Sequence, residues 1–441
     1  MIRALCSAPI AAAFLAFTPL QASAIDIHEV RSPGGITAWL VEDHSIPFTA
    51  LSMAFKGGAS MDAEGKRGAV NLMTATLEEG AGVRDAVAFA EAVEETGAVL
   101  NFNASDDAVS VTARLLTDTR DGAADLLSEA LFKPRFDTVA VDRVRGQVQA
   151  IIRAEATDPG SIAQKELAHL AWGDHPYGTS INGTAQSVAT LTPDDLRTAR
   201  ERVMGRDRLV VAAAGDITPA DLGALLDRVL GSLPEKASAP LPGPASPQLT
   251  GGVTVIPWDS PQTVVQFAAP GLPMDDPEYF AAFVGNYILG GGGFSSRMTD
   301  EIREKRGLTY GVSTALSTGL FGDLWVGGMA TANANTGAAV DLARTEWGRL
   351  ADGVTEKELA DAKTYLTGEY PLRFDGNRKI ADILAGMQLV GLPREYVNTR
   401  NSKIEAVRVD DVAKVAKRLL EPEKLRFVLV GKPDGVTSTN P

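Results

Sequence analysis

The sequence predicts an α+β protein of two homologous halves, each a mostly antiparallel sheet with helices packed on it. Three observations support this prediction. Strand-like hairpins are mixed with amphipathic helical segments, short stretches recur at a nearly constant offset, and a proline-rich segment lies near the middle of the chain. Such a mixture is typical of a sheet covered by a layer of helices.

The first half contains two strand pairs followed mainly by helices. Residues 35–42 and 48–56 alternate apolar and polar side chains, and residues 98–102 and 108–115 flank the polar turn NASDD. Apolar residues at three- and four-residue spacing predict helices after and between these strands. The predicted helices are 69–77, 85–96, 119–131, 138–156, 161–172, 192–204 and 218–230, with a strand at 209–214.

The second half repeats the order of the first. The Met-Asp pair at 61–62 recurs at 274–275, an offset of 213 residues, and the turn glycine Gly215 recurs as Gly431, an offset of 216. Two similar offsets at independent places indicate an internal duplication. The predicted strands are 263–268, 310–317 and 321–330, and the predicted helices are 279–289, 337–351, 355–369, 376–390 and 409–420.

A proline-rich segment divides the two halves. Five prolines occur within the fourteen residues 234–247, which predicts an extended, semi-rigid linker. The predicted organisation is therefore a leader followed by two halves and the linker between them. Its boundaries are 1–24, 25–233, 234–250 and 251–441 for the leader, the N-terminal half, the linker and the C-terminal half.

Residues 1–24 have the features of a secretory signal peptide. Arg3 precedes an apolar run, and the small residues Ala22-Ser23-Ala24 form a cleavage signature. The run is too short and too broken by prolines for a membrane span, and we expect no span elsewhere. The bacterial character of the segment predicts export to the periplasm. The only cysteine, Cys6, lies in this segment, so we expect neither disulfides nor a thiolate ligand in the mature chain.

The composition restricts the class of partner. Hydrophobic residues make up 45% of the chain and charged residues 22%, which is ordinary for a globular protein. The formal net charge of -14 argues against binding to nucleic acid or to an anionic membrane surface. The expected partners are therefore neutral or basic.

The stretch GGGGFSSRMTDEIREKRGLTYGVS contains the strongest candidate site. Arg303 falls in the last turn of a predicted helix, Gly307 ends that helix, and Tyr310 opens a strand. A guanidinium and a phenol on the two sides of one turn are able to point at one volume, where both donate hydrogen bonds to an oxyanion or a carbonyl. The run Gly290, Gly291, Gly292 and Gly293 predicts a close approach of backbone to a bound chain.

Other motifs do not form a catalytic set by themselves. The four histidines, at 28, 44, 169 and 175, lack the spacing of a zinc site on one helix face. The glycine run follows a helix and lacks the following Lys-Ser/Thr of a phosphate loop. The adjacent acids at 78–79 and 106–107 are interpreted as solvated pairs.

The chain resembles the pitrilysin/insulinase family of zinc peptidases over nearly all of its mature length. The resemblance rests on the order and spacing of several stretches. These are GKRGAVNLMTATLEEG, DPGSIAQKELAHLAWGDHPYGTSINGT, GGGGFSSRMTDEIREKRGLTYGVS, GVTEKELADAKTYLTGE and VDDVAKVAKRLLEPEKLRFVLVG.

The resemblance implies that the zinc site is lost in this chain. The family holds zinc with an inverted His-x-x-Glu-His motif on a helix of the first half and a downstream glutamate. The corresponding positions here are Asn71, Thr74 and Ala75, and Glu155 is the candidate downstream carboxylate. Asn is a weak zinc ligand and Thr and Ala do not replace a base and an imidazole, so we expect no metal.

The resemblance also implies that a second part of the family site is kept. Active members use an Arg and a Tyr of the second half, seven residues apart, and Arg303 and Tyr310 match that pair. Some bacterial and mitochondrial members divide the two roles between subunits. The expected function is therefore a zinc-less subunit that pairs with a zinc-bearing His-x-x-Glu-His homologue and acts on peptides or unfolded proteins.

Two other interpretations remain open from the sequence. In the first interpretation, the chain is a non-catalytic peptide-binding or assembly protein of the same fold. In the second it is an independent metallopeptidase with an unusual metal site that uses Glu155, Glu78 and Asp107. Hydrolytic zinc sites need about three protein ligands, which weighs against the second interpretation.

Overall fold

The computed structural model describes residues 25–439. The predicted signal peptide, residues 1–24, lies outside this range. Among the described residues, no helix combines the length and the apolar character needed to cross a bilayer.

The first half is built on a six-stranded sheet with the order β1-β2-β8-β3-β7-β6. All neighbours pair antiparallel except β2 and β8, which are parallel. A two-stranded ribbon of β4 and β5 lies apart from it. The strands are β1 (His28–Arg31), β2 (Thr37–Glu42), β3 (Phe48–Lys56), β4 (Gly80–Ala81), β5 (Arg84–Asp85), β6 (Val99–Ala104), β7 (Ala108–Leu116) and β8 (Leu209–Gly215).

The second half is built on a five-stranded sheet with the order β11-β12-β10-β13-β9. Only β13 and β9 are parallel. The order β9-β13-β10-β12-β11 thus repeats β2-β8-β3-β7-β6 strand for strand, which agrees with the predicted duplication. The strands are β9 (Gly252–Pro257), β10 (Gln262–Pro270), β11 (Thr309–Ser317), β12 (Leu324–Ala332) and β13 (Arg426–Gly431).

Fourteen α-helices surround the sheets in the described part of the chain. They are α1 (Ala69–Ala75), α2 (Ala86–Glu95), α3 (Arg120–Phe132), α4 (Thr138–Glu155), α5 (Pro159–Trp172), α6 (Ala185–Ala189), α7 (Pro193–Val203), α8 (Pro219–Leu230), α9 (Tyr279–Asn286), α10 (Thr336–Arg349), α11 (Glu356–Glu369), α12 (Asn377–Leu389), α13 (Tyr396–Glu405) and α14 (Val409–Leu419). The predicted fold class is confirmed. The sequence patterns missed β1, β4, β5, β9, α6 and α13.

The two turn glycines occupy equivalent places. Gly215 ends β8 with φ of 123°, and a Cβ atom there would lie 2.3 Å from the carbonyl oxygen of Phe48. Gly431 ends β13 with φ of 159°, and a Cβ atom there would lie 2.4 Å from Thr263 Oγ1. A larger residue would push away the neighbouring strand at both positions, which explains why the repeat retains glycine.

The halves exchange one helix each. Helix α5 of the first half packs on the second sheet, where Leu167, Ala171 and Trp172 form a core with Val428 and Val430 of β13. This arrangement extends the predicted one, in which the helices of a half lie on its own sheet.

Helix α12 of the second half packs on the first sheet. Its Leu384, Ala385 and Met387 contact a core that contains Trp39 and Ala212 of that sheet. Two further alanines of the sheet, Ala50 and Ala214, form a small cluster with Ala381 of the same helix. Small side chains on both surfaces let the helix lie close to the strands.

The segment between α8 and β9 contains no helix or strand, as expected of a linker, yet it is anchored on both sides. The backbone N–H of Ala245 donates to the carbonyl of Phe321 at 2.5 Å, and that of Gln248 donates to the carbonyl of Ala171 at 2.7 Å. The linker therefore follows the seam between the halves.

A partly buried polar contact also crosses this seam. The hydroxyl of Tyr177 donates a short hydrogen bond to the carboxylate of Asp107 and accepts one from the backbone N–H of Phe321 at 3.1 Å. The N–H of Leu320 lies 3.3 Å from the same carboxylate. One phenol thus ties the β6–β7 turn of the first half to the loop before β12.

We expect Tyr177→Phe to lower the free energy of unfolding by about 0.5–1.5 kcal/mol, because the partly buried carboxylate of Asp107 and the backbone N–H of Phe321 each lose one hydrogen bond. Urea unfolding followed by circular dichroism measures the change. Tyr365→Phe is the matched control, since that ring is 57% exposed, and it should change stability by less than about 0.5 kcal/mol. Equal effects of the two substitutions would contradict the assigned role.

Candidate functional site

Arg303 and Tyr310 lie on the two sides of one tight corner, as the sequence predicted. A π-helical segment, Thr299–Glu304, ends in a turn in which the N–H groups of Gly307 and Leu308 donate to the carbonyls of Arg303 and Ile302 at 2.8 and 2.9 Å. Gly307 has φ of 61°, a conformation that favours glycine. Strand β11 begins two residues later, so the corner places both side chains in one region.

A β-bulge turns Tyr310 outward. The pairing of β11 with β12 shifts register between Thr309 and Val312, which leaves Tyr310 and Gly311 outside the regular ladder. The hydroxyl of Thr309 lies 2.7 Å from the carbonyl of Ala330 and fixes the start of the strand. Tyr310 is 89% exposed as a result, and its phenol is available to a ligand.

The guanidinium of Arg303 lies against two aromatic rings. Its Cζ atom is 4.5 Å from the ring centre of Phe294 and 5.2 Å from that of Tyr310. The neighbouring Glu304 has a carboxylate oxygen 3.2 Å from Nη1. Stacking of a cation between rings restricts the side chain while its N–H edge remains able to donate. The result is an oriented donor beside an accessible phenol.

Phe294 is a site residue that the sequence analysis missed. It follows the four glycines and is 75% exposed, which is unusual for a phenylalanine in a folded protein. The sequence feature that could have identified Phe294 is a single large aromatic residue within a glycine- and serine-rich turn.

The glycine run is shaped largely by the protein itself. A Cβ atom would lie 2.6 Å from Thr314 Oγ1 at Gly290, 2.6 Å from Asn286 Nδ2 at Gly291 and 2.7 Å from the carbonyl of Tyr287 at Gly292. Gly293 has φ of 56° and faces open space. Three of the four glycines therefore let the chain turn tightly beside β11, and the prediction that they contact a substrate is untested.

The positions of the zinc motif contain a hydrogen-bonded chain of side chains. Asn71 Nδ2 on α1 donates to Asn182 Oδ1 at 2.8 Å, and Asn182 Nδ2 donates to Glu155 Oε1 at 2.5 Å. The second carboxylate oxygen of Glu155 lies 3.7 Å from Lys165 Nζ. The candidate downstream carboxylate thus lies near Asn71, as the resemblance implies, but an amide connects the two.

Thr74 and Ala75 offer no ligand. Thr74 is 2% exposed, and its hydroxyl donates to the carbonyl of Val70 in its own helix at 2.8 Å. Ala75 packs against the core of the first half. Within residues 25–439, no group of three or more His, Cys, Asp or Glu side chains has the geometry to hold a metal ion. The residues at the family's zinc position therefore do not fit zinc.

The acids at the β6–β7 turn are bound within the protein, which differs from their interpretation as solvated. Asp106 accepts from Arg67 Nη2 at 2.7 Å, and Asp107 accepts from Tyr177. Burial raises the pKa of both carboxyls above the ordinary value. The nearby His175 has its pKa lowered, again mainly by burial. These groups join the halves and are not spaced as a catalytic dyad.

Two polar cavities adjoin this cluster. One, of about 400 Å³, is lined by residues that include Glu155, Lys165 and Asn182. The other, of about 480 Å³, is lined by Asp107 and Tyr177 together with the loop that precedes β12. Both cavities share Asp106 and Gln164, so a polar surface extends from the former zinc position to the seam between the halves.

Comparisons with known proteins identify related sequences over most of the chain. The family models "Insulinase (Peptidase family M16)" and "Peptidase M16 inactive domain" match residues 38–185 and 190–366. The chain is 26% identical over 415 residues to "Non-peptidase homolog YmxG" of Helicobacter pylori, with 94% of this chain and 96% of that protein covered. It is 30% identical over 413 residues to "Uncharacterized zinc protease Rv2782c" of Mycobacterium tuberculosis, with 90% and 92% covered.

A solved structure extends the likeness to three dimensions. The "peptidase M16 inactive domain" from Pseudomonas fluorescens superposes with a TM-score of 0.86 at 30% identity, over 94% of this chain and 100% of that one. The position of the family's zinc ligands, the repeated sheet and these matches lead to one conclusion. The chain belongs to the M16 insulinase family, and its similarity extends to proteins described as non-peptidase or inactive members.

Proposed function

We propose that this chain is the zinc-less subunit of an exported heteromeric zinc metallopeptidase and that it supplies Arg303 and Tyr310 to peptide hydrolysis. The partner is a homologous subunit that carries His-x-x-Glu-His and binds zinc. One observation carries the proposal: Arg303 is oriented between Phe294 and the exposed Tyr310, whereas α1 has lost its metal ligands. Export to the periplasm belongs to the proposal and rests on residues 1–24.

The chemistry follows from these two donors. Attack on a peptide carbonyl places negative charge on its oxygen, and the partner supplies the metal-activated nucleophile. A guanidinium and a phenol held in fixed positions stabilise that charge without reorganising at the moment of reaction. The seven-residue corner at Gly307 provides this rigidity, because both side chains arise from hydrogen-bonded segments.

The sheet edges support binding of an extended peptide. Within residues 25–439, strand β6 pairs only with β7 and strand β11 pairs only with β12. In this part of the chain, each half therefore has an edge strand with one side not paired to another strand. An extended peptide adds to such an edge by backbone hydrogen bonds. Because Tyr310 lies at the start of β11, a peptide on that edge would pass beside the Arg303 donor.

The same edges favour a second candidate, a peptide-binding or assembly protein without chemistry. The description of the Helicobacter pylori relative as a non-peptidase homologue is consistent with it. The two candidates differ in one observable: only the first predicts that adding this chain raises the peptidase activity of a zinc-bearing homologue.

Arg303→Gln and Tyr310→Phe should each lower kcat of the reconstituted pair by about 10²–10³, as removal of one oxyanion donor does. Hydrolysis of a quenched fluorescent peptide by an equimolar mixture with the zinc-bearing homologue measures this. The controls are Arg306→Gln, whose guanidinium pairs with Glu301, and Tyr365→Phe. Unchanged activity of the first two variants would disprove the assigned roles.

Phe294→Ala should lower kcat by a factor of about two to five, because one face of the cation–π contact is worth about 0.5–1 kcal/mol at an exposed site. Phe294→Tyr, which keeps the ring, should retain activity in the same assay. If the alanine variant changes KM alone, Phe294 contacts substrate and does not orient Arg303.

The isolated chain should bind less than a stoichiometric amount of zinc after equilibration with Zn²⁺ and dialysis, because Asn71, Thr74 and Ala75 replace the family's ligands. Elemental analysis of the purified protein measures this. One zinc per chain, together with chelator-sensitive proteolysis, would instead support an independent metallopeptidase.

A further inference from the structure

A pocket of about 330 Å³ lies on the second half, among α9, α12, α13 and the turn that follows α11. Its wall is largely apolar and includes Met274, Phe280, Ile383, Met387 and Leu392. The rings of three tyrosines, Tyr279, Tyr370 and Tyr396, line it as well. A concave apolar site of this volume with a few polar groups is typical of small-ligand pockets.

A buried cation without a carboxylate partner lies in this wall. Arg400 of α13 is only 4% exposed, and the described residues place no carboxylate within 4.0 Å of its guanidinium. Its Nη1 donates to the carbonyl of Leu366 at 3.0 Å and to Asn401 Oδ1 at 3.1 Å. The Cζ atom lies 4.2 Å from the ring centre of Tyr370. Buried charges are usually paired, so this one is short of an anion.

Glu369, the acid whose charge acts on Arg400, is already engaged by another cation. Glu369 makes a bidentate pair with Arg373, with distances of 3.0 and 2.7 Å. A third cation, Lys403 Nζ, lies 5.6 Å from the ring centres of both Phe280 and Tyr396. Arg400 in the wall and Lys403 beside it therefore place positive charge at the pocket, in a chain whose formal net charge is -14.

The tyrosines add neutral donors. Burial raises the pKa of Tyr279 and of Tyr370 to about 12, so both phenols keep their protons at neutral pH. Burial lowers the pKa of Arg400, which reflects the cost of its charge in these surroundings. A bound anion would relieve that cost.

We propose that the pocket binds a small amphipathic carboxylate, with the carboxylate on Arg400 and the apolar body against Phe280, Ile383 and Met387. The volume accommodates roughly ten water-sized groups at about 30 Å³ each, which limits the ligand to a medium-length chain or one aromatic side chain. The site is separate from the Arg303 corner, and the proposal does not depend on the proposed peptidase role.

A carboxylate with an apolar body occurs both in free fatty acids and at the carboxyl terminus of a peptide, and one probe represents each. Decanoate represents a free acyl chain, and N-acetylphenylalanine represents the carboxyl terminus of a peptide. Isothermal titration of the purified chain with each probe, below micelle formation, should give saturable binding of at least one. The uncharged analogue decanol should bind at least about tenfold more weakly than decanoate if the acyl chain is the ligand, because it lacks the charge-assisted contact.

Two substitutions test the site. Arg400→Gln removes the charge and should weaken carboxylate binding by about tenfold or more. Gly386→Leu, in α12, adds a side chain at the pocket wall. A Cβ atom at this position meets no other atom within 4 Å, so the backbone accepts the substitution. The added side chain should fill the pocket and abolish binding.

The matched control is Gly146→Leu in α4, another helical glycine whose Cβ position is open. The Gly146→Leu variant should bind the probes with the same affinity as the unmodified chain. Circular dichroism should confirm that all variants are folded. Failure of both probes to bind the unmodified chain would overturn the proposal. Equal binding to the unmodified chain and to Gly386→Leu would overturn it too.

Discussion

The exchange of α5 and α12 between the two sheets is the contact on which the rest of the structure depends. Each half has a large core of its own, and each exchanged helix covers the remaining face of the opposite half's sheet. Without the other half, that apolar face would be exposed to water. The anchored linker and the Tyr177 hydroxyl add hydrogen bonds along the same seam. The chain is therefore one interlocked unit, and the former zinc position and the Arg303 corner belong to a single scaffold.

Loss of the metal site left the surrounding structure intact. The chain Asn71–Asn182–Glu155 satisfies polar groups that ligands would otherwise use, and Thr74 bonds within its own helix. Buried polar groups are costly when unpaired, so a protein that gives up a metal must replace its bonds. In this chain, these bonds satisfy the polar groups at the family's zinc position without a metal.

Arg303 and Arg400, both in the second half, show how the surroundings of a guanidinium affect its exposure and its contacts. Arg303 stacks between the exposed rings of Phe294 and Tyr310. Arg400 stacks between buried rings beside an apolar pocket. Both lie against aromatic faces, which orient a guanidinium, and Arg303 is also paired with Glu304. We propose that Arg303 stabilises charge that develops on a substrate oxygen, whereas Arg400 binds a ligand that already has a negative charge.

The sequence by itself determined the duplicated α+β fold, most helices and strands and the Arg303–Tyr310 corner, because these follow from local periodicity, turn glycines and residue identity. The loss of the zinc ligands followed from the resemblance to a known family. It missed α13, whose polar sequence is a weak helix signal, and it missed Phe294 and Asn182. The tertiary structure alone decided the helix exchange, the burial of Asp106 and Asp107 and the unpaired charge of Arg400. These depend on contacts between residues far apart in the chain, which periodicity along one segment does not encode.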